Sequence, residues 1–358
     1  ILGHDYDGLG ETWSLPMLGR VNTGSPEGQW VMFAGSGYGC DGTDQGRYLY
    51  VLKLEDGTIY KKLGPIADNV DGAAGEPGVD QNALVATPAL FNPHDPGVAD
   101  GRDFVTRVYI GDLQGVIHKL DLTDADPANW EFGVFFELTS EADQAEGQGL
   151  YNQPITVQAA VLKLSGSDRI LVFVGTGDDS RVDLVDPERF KIVGIEDTDS
   201  MGTIAFTDPG FKGALAALDG GGTFFFDLPA GDRMGVSPVV ARNTATNGVV
   251  FFASFRTDLD PVLCQTNFFS TLFAAGVSTG LGSFDLDPDT GGIQDTADLG
   301  EGKVTGLFHR DGHLYVSKSG GLKGASETQV RGSDEFPQPM VSAGTIQVLV
   351  DAFRLSPF

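Results

Sequence analysis

A short pattern recurs along the chain. It consists of a polar or small residue, a proline, an apolar run, and about twenty residues later a second apolar run that ends in glycine or a small residue. The pattern carries its proline at Pro16, Pro88, Pro154 and Pro238, and a fifth copy near Val304 has lost it. The spacing of these prolines is irregular, so the repeated units share a core and differ in their loops. A repeated pair of strands therefore restricts the chain to a periodic β-architecture.

The second run of each copy has the composition of a buried strand. These runs are residues 31–35, 108–111, 172–175, 250–253 and 314–317. Fifty glycines and eighteen prolines fit many brief strands joined by turns. Four short antiparallel strands per unit, repeated around an axis, form the blades of a propeller and leave few exposed sheet edges. We predict an all-β fold, a quinoprotein-like β-propeller of about seven blades with long inter-strand loops.

The main structural alternative is a series of separate β-sandwiches, which would not explain one recurring pattern along the whole chain. One outer hairpin is predicted in detail, with strands at 47–54 and 58–63 around the turn residues Asp56 and Gly57. Further outer strands are expected at 116–122 and from residue 272. Polar insertions are predicted as loops, where binding residues usually lie, at 68–81, 124–129, 139–149 and 256–265.

Length and chain start bear on domain organisation. Residues 1–358 are predicted to form one propeller domain, because all-β domains often run this long. The first residue is Ile1 rather than an initiator methionine, so we expect the C-terminal part of a longer precursor. No apolar stretch approaches the roughly twenty residues that span a bilayer, and the longest, at 249–255, is predicted as a buried strand.

The formal net charge of −27 argues against binding nucleic acid or an anionic membrane surface, since both are negatively charged. Cationic partners or divalent ions fit better, although a solubilising surface or a high-salt habitat explains the same acidity.

The cysteines, Cys40 and Cys264, are too few for a dense disulfide framework. One bridge between them stays open, because it depends on their distance in the fold.

An oxygen-rich segment between the first and second runs of the second copy is the sharpest candidate site. Asn92, Asp95, Asp100 and Asp103 lie on a loop that also contains glycine. Because calcium prefers several oxygen ligands from such short-range clusters, we predict these four residues as Ca²⁺ ligands. The alternative is an acidic connection between blade strands.

Signatures of common catalytic sites are missing from the sequence. His309 and His313 are four residues apart, but Asp311 and Gly312 between them indicate a turn, which rules out the helical pair of a zinc protease. Neither a nucleophile elbow nor a phosphate-binding loop is present. We therefore do not predict an enzyme.

Three stretches resemble the PilC/PilY β-propeller family of bacterial type IV pilus tip and assembly proteins. Residues 9–16 are similar to its Gly-x-Thr-Trp-Ser-x-Pro strand, and residues 108–115 are similar to its Tyr-x-Gly-Asp-Leu-x-Gly signature. Residues 172–177 and 190–197 resemble its Gly-Thr-Gly strand and a later aromatic strand that ends in Asp. Together they span residues 10–197 in the family's order.

The resemblance implies a non-enzymatic adhesin and assembly factor at the tip of a type IV pilus. Such a protein is secreted through the periplasm, docks to minor pilins, supports pilus extension and attaches cells to host or abiotic surfaces. It also implies calcium between Asn92 and Asp103, with Thr106 in the place of the family's last Asp. Two alternatives stay open: a quinoprotein-type dehydrogenase, suggested by the Asp-x-x-Thr-Gly turn at 287–291, and a surface lectin or matrix scaffold.

Overall fold

The computed structural model describes most of the strand-forming regions of the chain. The described residues are 6–39, 44–67, 82–93, 104–137, 153–164, 169–177, 190–197, 204–205, 224–241, 248–260, 265–277, 286, 295–310 and 313–319. Within these ranges the secondary structure is twenty strands and one short 3-10 helix, Pro127–Asn129. Among the described residues, no helix has the length and hydropathy that crossing a membrane requires.

The first two sheets are antiparallel meanders in which each strand pairs with the next one along the chain. The first sheet contains β1 (Met17–Val21), β2 (Gln29–Gly35), β3 (Leu49–Lys53) and β4 (Ile59–Leu63). The second contains β5 (Ala89–Phe91), β6 (Arg107–Gly111), β7 (Val116–Asp121) and β8 (Glu131–Glu137).

The remaining sheets repeat this plan with variations. The third sheet contains β9 (Ala160–Lys163), β10 (Ile170–Gly175), β11 (Lys191–Asp197) and β13 (Phe224–Asp227), whereas β12 (Ile204–Ala205) pairs in parallel with β8 of the second sheet. The fourth contains β14 (Arg233–Met234), β15 (Val239–Ala241), β16 (Val249–Asp260), β17 (Gln265–Gly276) and β18 (Thr296–Glu301). A fifth sheet is the hairpin of β19 (Lys303–Arg310) and β20 (His313–Ser319).

The repeated sequence pattern maps onto two adjacent strands of each sheet. Every predicted second run lies inside β2, β6, β10, β16 or β20. Pro16, Pro88 and Pro238 directly precede β1, β5 and β15. Pro154 differs, because Ile155 first forms a parallel bridge with Gly177 and β9 begins only at Ala160.

One predicted loop is wrong. Most of the polar insertion expected at 256–265 is strand, since β16 continues to Asp260 and β17 begins at Gln265 rather than at residue 272. Arg256 pairs with Phe269, and Asp258 pairs with Asn267. Ladder hydrogen bonds use backbone groups, so polar side chains that face solvent extend a strand without breaking it.

The sheets stack face to face, with an apolar layer between each consecutive pair. Each strand of a middle sheet contributes side chains to the apolar layers on both sides of the sheet, because successive side chains point to opposite faces. In β10, Val172 lies in the same apolar cluster as Tyr109 of the second sheet. The next residue, Phe173, lies in a cluster with Phe252 of the fourth sheet. The middle sheets are thus covered on both faces, which excludes separate two-layer sandwiches.

The strands that carry the first runs of the pattern contact one another in chain order. β1 contacts β5, β5 contacts β9, β9 contacts β15, and β15 contacts β19. Inner strands of propeller blades are arranged in this way around their axis. The described residues form five such sheets, and the expected total of about seven blades stays a prediction.

The chain that enters the second sheet, and likewise the third, crosses the end of the second strand of the preceding sheet. The Gly37 N–H donates to the Leu84 carbonyl at 3.0 Å, and the Ile155 N–H donates to the Asp112 carbonyl at 2.9 Å. This crossing leaves no space for a side chain at the strand end. A Cβ on Gly35 would lie 2.3 Å from the Leu84 oxygen, and one on Gly111 would lie 2.2 Å from Cγ2 of Ile155. Close approach of the crossing chain explains why these two second runs end in glycine.

Candidate functional site

The predicted calcium loop joins β5 to β6. Asn92 follows β5 directly and is exposed, whereas Asp95, Asp100 and Asp103 lie outside the described residues. The two ends of the loop are held together, because the Thr106 N–H donates to the Phe91 carbonyl at 2.9 Å. The described residues contain no group of three or more His, Cys, Asp or Glu side chains suited to a metal ion. Calcium binding at this loop stays a prediction.

Several other predicted features also fall outside the described residues. These are Cys40, Cys264 and the insertions at 68–81 and 139–149. The insertion at 124–129 is described and is held by its own hydrogen bonds, including one from the Trp130 indole N–H to the Asp124 carbonyl at 2.9 Å. His309 lies on β19 and His313 begins β20, so the two residues are on opposite strands of a hairpin, as the predicted turn requires.

The aspartate of the Tyr-x-Gly-Asp signature is fully buried at the turn between β6 and β7. Oδ1 of Asp112 accepts the backbone N–H groups of Gln114 and Val116, each at 2.9 Å. Oδ2 lies 2.8 Å from Nε2 of His118 and accepts the Asn82 side-chain amide at 2.9 Å. Both carboxylate oxygens therefore hold the turn and the entering chain in place.

A buried polar residue occupies the equivalent position in the first, third and fourth sheets. Ser36, Thr176 and Ser254 are fully buried, and each directly follows the last residue of the second run in its sheet. The Ser36 hydroxyl accepts the Tyr48 N–H at 2.8 Å, and the Thr176 hydroxyl accepts the Lys191 N–H at 2.8 Å. We call these three residues and Asp112 the polar pins. Two of them, like Asp112, hold the start of the third strand of their sheet.

A second buried network joins the second and third sheets through Asp197, the last residue of β11. Its carboxylate lies 3.0 Å from Nζ of Lys119 and 3.1 Å from Nη1 of Arg107, and it accepts the Tyr109 hydroxyl at 2.5 Å. Lys119 is fully buried. Burial and the adjacent Asp197 charge raise the pKa of Tyr109 far above its usual range, so the phenol stays protonated as a donor.

Sequence reasoning placed Tyr109 and Asp197 in family motifs but did not identify their contact with each other or with Arg107 and Lys119. Lys119 and Asp197 are 78 residues apart, and Tyr109 and Asp197 are 88 apart. The acid and its donors are engaged with one another inside the fold. These buried charges therefore contribute to packing between blades, and a surface that could bind a partner lies elsewhere on the molecule.

Exposed apolar side chains concentrate on the first sheet and the chain leading into it. Among the described residues, the exposed large apolar side chains are Leu9, Trp13, Leu15, Leu18, Trp30 and Leu54. Trp30 is 53% exposed and Leu54 is 49% exposed. The two lie side by side, because the Leu54 N–H donates to the Trp30 carbonyl at 3.1 Å. The alternation of β2, with Val31 and Phe33 buried, was the sequence signal that the opposite face carries Trp30.

A groove of about 590 Å³ lies over these residues, at the end of the first sheet that holds the β1–β2 and β3–β4 turns. Its lining comprises Arg20, Pro26, Glu27, Gly28, Gln29, Trp30, Leu54 and Glu55. We call it the Trp30 groove. The guanidinium of Arg20 lies over the Phe104 ring, 5.0 Å from its centroid. The groove therefore combines an apolar floor with two carboxylates and one positively charged group.

Comparison with known proteins agrees with the resemblance seen in the sequence. A family model described as the PilY1 beta-propeller domain matches residues 6–218. The type IV pilus biogenesis factor PilY1 of Pseudomonas aeruginosa strain UCBPP-PA14 is 29% identical over 226 residues. That alignment covers 56% of this chain and 17% of the relative, so the chain spans a small part of the relative's length.

A solved structure is similar to the fold. The crystal structure of the Pseudomonas aeruginosa PilY1 C-terminal domain matches with a TM-score of 0.54 and 18% identity. The match covers 88% of this chain and 72% of the other chain. At this identity the likeness shows the fold alone, and it agrees with the predicted β-propeller.

The family match covers more than half of the chain. It includes the signature around Tyr109 and Asp112 and the strand that ends at Asp197. Those residues form the pin and the network that position the second and third sheets. The chain belongs to the PilY1 β-propeller domain family.

Proposed function

We propose that this chain is the propeller of a type IV pilus biogenesis factor that acts without catalysis. It is secreted through the periplasm, lies at the pilus tip on the cell surface and docks to minor pilins. There it supports pilus extension and attachment to host or abiotic surfaces. The observation that carries the proposal is the family match over residues 6–218. The name of the curated relative, a type IV pilus biogenesis factor, supports the pilus assignment.

The geometry of the described residues supports a binding role. The titratable side chains of the family signatures, Asp112 and Asp197, are engaged in hydrogen bonds that hold turns and sheets together. The features that face solvent are instead an apolar groove and loops at the sheet ends. Binding sites are commonly built on loops and grooves that a rigid scaffold positions.

Association with minor pilins tests the proposal. The full chain, carrying an affinity tag, is mixed with pilus preparations that retain intact tips and is then recovered. We expect minor pilins to be recovered with it and to be absent when an unrelated acidic β-propeller is used as bait. Failure to recover them from any such preparation would contradict docking at the tip.

We also propose that the loop between β5 and β6 binds Ca²⁺ through Asn92, Asp95, Asp100 and Asp103. Support comes from the oxygen chemistry of these side chains and from the hydrogen bond that closes the loop between Phe91 and Thr106.

Calorimetric titration of the calcium-free chain with CaCl₂ tests this site. We expect binding heat that is lost in the Asp95→Asn, Asp103→Asn double variant and retained in Asp44→Asn. Asp44 is a suitable control because it is exposed and lies on another loop. Equal heat in the double variant would assign the binding to other acidic residues and overturn the proposed ligands.

A further inference from the structure

We propose that the Trp30 groove binds a lysine or arginine side chain of a protein partner that carries an apolar residue next to it. That the partner is a pilus subunit rests on the proposed function. The chemistry of the groove does not, so the two parts of the proposal can fail separately.

The floor of the groove is apolar and belongs to one face of the first sheet. Trp30 pairs with Arg20 across β1 and β2, and Leu18 pairs with Met32 one row further along the sheet. Side chains two residues apart on a strand share a face, so Leu18, Trp30 and their neighbours form one continuous surface. With Trp30 53%, Leu54 49% and Leu18 54% exposed, this surface is open in the described part of the chain.

The rim of the groove is negatively charged. Glu27, on the β1–β2 turn, and Glu55, on the β3–β4 turn, both line it and both are exposed. The positive charge in the lining is Arg20, whose guanidinium lies over the Phe104 ring. Two carboxylates against one guanidinium, in a chain of net charge −27, favour a cationic ligand and repel an acidic one.

Lysine and arginine match this combination of surfaces. Their aliphatic stems cover apolar area while their charged ends reach polar groups. A stem lying on Trp30 and Leu54 brings the cation towards Glu27 and Glu55, and the indole face adds a cation–π attraction. An adjacent apolar residue of the partner extends the contact towards Leu18.

The groove is tested with a defined probe. The full chain is labelled with 5-fluorotryptophan, which gives one ¹⁹F signal each for Trp13, Trp30 and Trp130. It is titrated with N-acetyl-Leu-Lys-amide and, separately, with N-acetyl-Leu-Glu-amide. We expect the Lys peptide to shift the Trp30 signal alone, and the Glu peptide to shift none. In the Glu27→Gln, Glu55→Gln variant the shift at a given concentration should fall about fivefold or more, as expected for two exposed charge contacts.

Trp13 and Trp130 are internal controls, since the former is 71% exposed outside the groove and the latter is 6% exposed. Equal shifts at Trp13 and Trp30 would mean nonspecific contact and would overturn the proposal. So would the absence of any shift. A Trp30 signal that is not broadened by a neutral, soluble paramagnetic agent would also overturn it, because the face would then be covered by other residues of the same chain or by a second copy.

The pilus partner is tested by comparing minor pilin recovery by the wild-type chain, Trp30→Ala and Trp13→Ala. We expect about tenfold weaker recovery with Trp30→Ala and no change with Trp13→Ala, each variant having a wild-type urea unfolding midpoint. Equal recovery by all three would overturn the groove as the docking site and leave the proposed function standing. If the Lys peptide binds but neither the wild-type chain nor either variant recovers pilins, the groove chemistry stands and the proposed pilus function is contradicted.

Discussion

At the end of the second run of the pattern, neighbouring residues have different roles. Gly111 lets the entering chain approach, because a Cβ there would lie 2.5 Å from the Cβ of Ile155. Asp112, the next residue, supplies acceptors that the turn needs. The pair explains why a small residue followed by a polar one recurs at this position. Buried polar groups have to be hydrogen-bonded, and a side-chain pin meets that need where the ladder stops.

Replacing Asp112 with alanine is expected to destabilise the fold. The substitution leaves the N–H groups of Gln114 and Val116 and the amide of Asn82 without this acceptor in a buried site. At about 1–3 kcal/mol for each unsatisfied buried group, we expect a loss of about 3 kcal/mol or more in the free energy of unfolding. Urea unfolding measures it. Asp121→Ala is the control, because Asp121 accepts a hydrogen bond in an exposed turn. Equal losses would contradict the assigned role.

Asp232 is a buried acid whose ionisation opposes folding. It is 1% exposed, accepts the Ser254 hydroxyl, and lies 3.5 Å from Nη1 of Arg256. Burial raises its pKa above the usual 3.8. A raised folded-state pKa gives a stabilising contribution that is complete below the unfolded pKa and is lost as pH rises through the folded one.

The Asp232→Asn variant isolates this dependence, because asparagine keeps the acceptor and does not titrate. We expect the free energy of unfolding of the wild type to increase relative to the variant as pH falls from 7 towards 4. Urea unfolding at several pH values measures the difference between the two proteins. Asp258→Asn, at an exposed position, is the matched control for the substitution itself. A difference that is constant with pH, or that changes in the opposite direction, would contradict the assignment.

At the scale of elements, the segment after β11 ties two sheets together. Asp197 ends β11 and binds three donors on β6 and β7 of the neighbouring sheet. The next strand, β12, then pairs with β8 of that same sheet before β13 returns to the third sheet. The third sheet is therefore joined to the second by a buried ion-pair network and by backbone pairing as well as by apolar packing.

Removing the carboxylate with Asp197→Ala is expected to cost about 3–5 kcal/mol in the free energy of unfolding, the range for breaking a buried ion pair. The reason is that Lys119 stays fully buried without its counter-charge. Glu196→Ala is a matched control on the same strand, since Glu196 pairs with the partly exposed Arg169 and should cost about 1 kcal/mol. The Lys119→Met, Asp197→Leu double variant should recover part of the loss, because the buried Lys119 charge is then gone while Arg107 and Tyr109 still lose this acceptor. If the double variant is as unstable as Asp197→Ala, the loss has a different cause.

Elements were predictable from the sequence where a local signal marked them. The hairpin around Asp56 and Gly57 and the strands after Pro16 and Pro88 followed from turn residues and proline positions. The prediction of a loop at 256–265 is wrong, because polar side chains do not interrupt the backbone ladder, which continues there. The Asp197 network and the Trp30 groove depend on residues brought together from distant strands, and no spacing in the sequence encodes that contact.

For the whole molecule, the governing facts are the stack of sheets and the charge. Both faces of the middle sheets are covered by neighbours, so apolar burial holds the sheets in order. Against this, fifty acidic residues outnumber twenty-three basic ones. A net charge this far from zero destabilises the compact state through self-repulsion. The repeated pattern predicted the stack, whereas the number of blades depends on loops whose lengths vary.

Added salt is expected to stabilise the chain. Raising NaCl from about 0.05 to 0.5 M shortens the screening length and should increase the free energy of unfolding by on the order of 1 kcal/mol or more. Urea unfolding at several NaCl concentrations measures the effect. Chloride is preferred to sulfate, because sulfate strengthens apolar burial by exclusion from the surface. A midpoint that is unchanged or falls with NaCl would mean that attractive ion pairs outweigh the repulsion.

The crossing of each strand end by the chain that follows it sets an order for biosynthesis. The backbone of Leu84 completes the hydrogen bonding of Gly37 and Gly46, and Ile155 does the same for Asp112. A polypeptide that leaves the ribosome or enters an export channel N-terminus first cannot finish its opening sheet until residue 84 has emerged. The second sheet waits in the same way for residue 155. Completion of one sheet end therefore depends on the chain that enters the next sheet, and a nascent chain that stalls before that segment leaves these backbone groups without their partners.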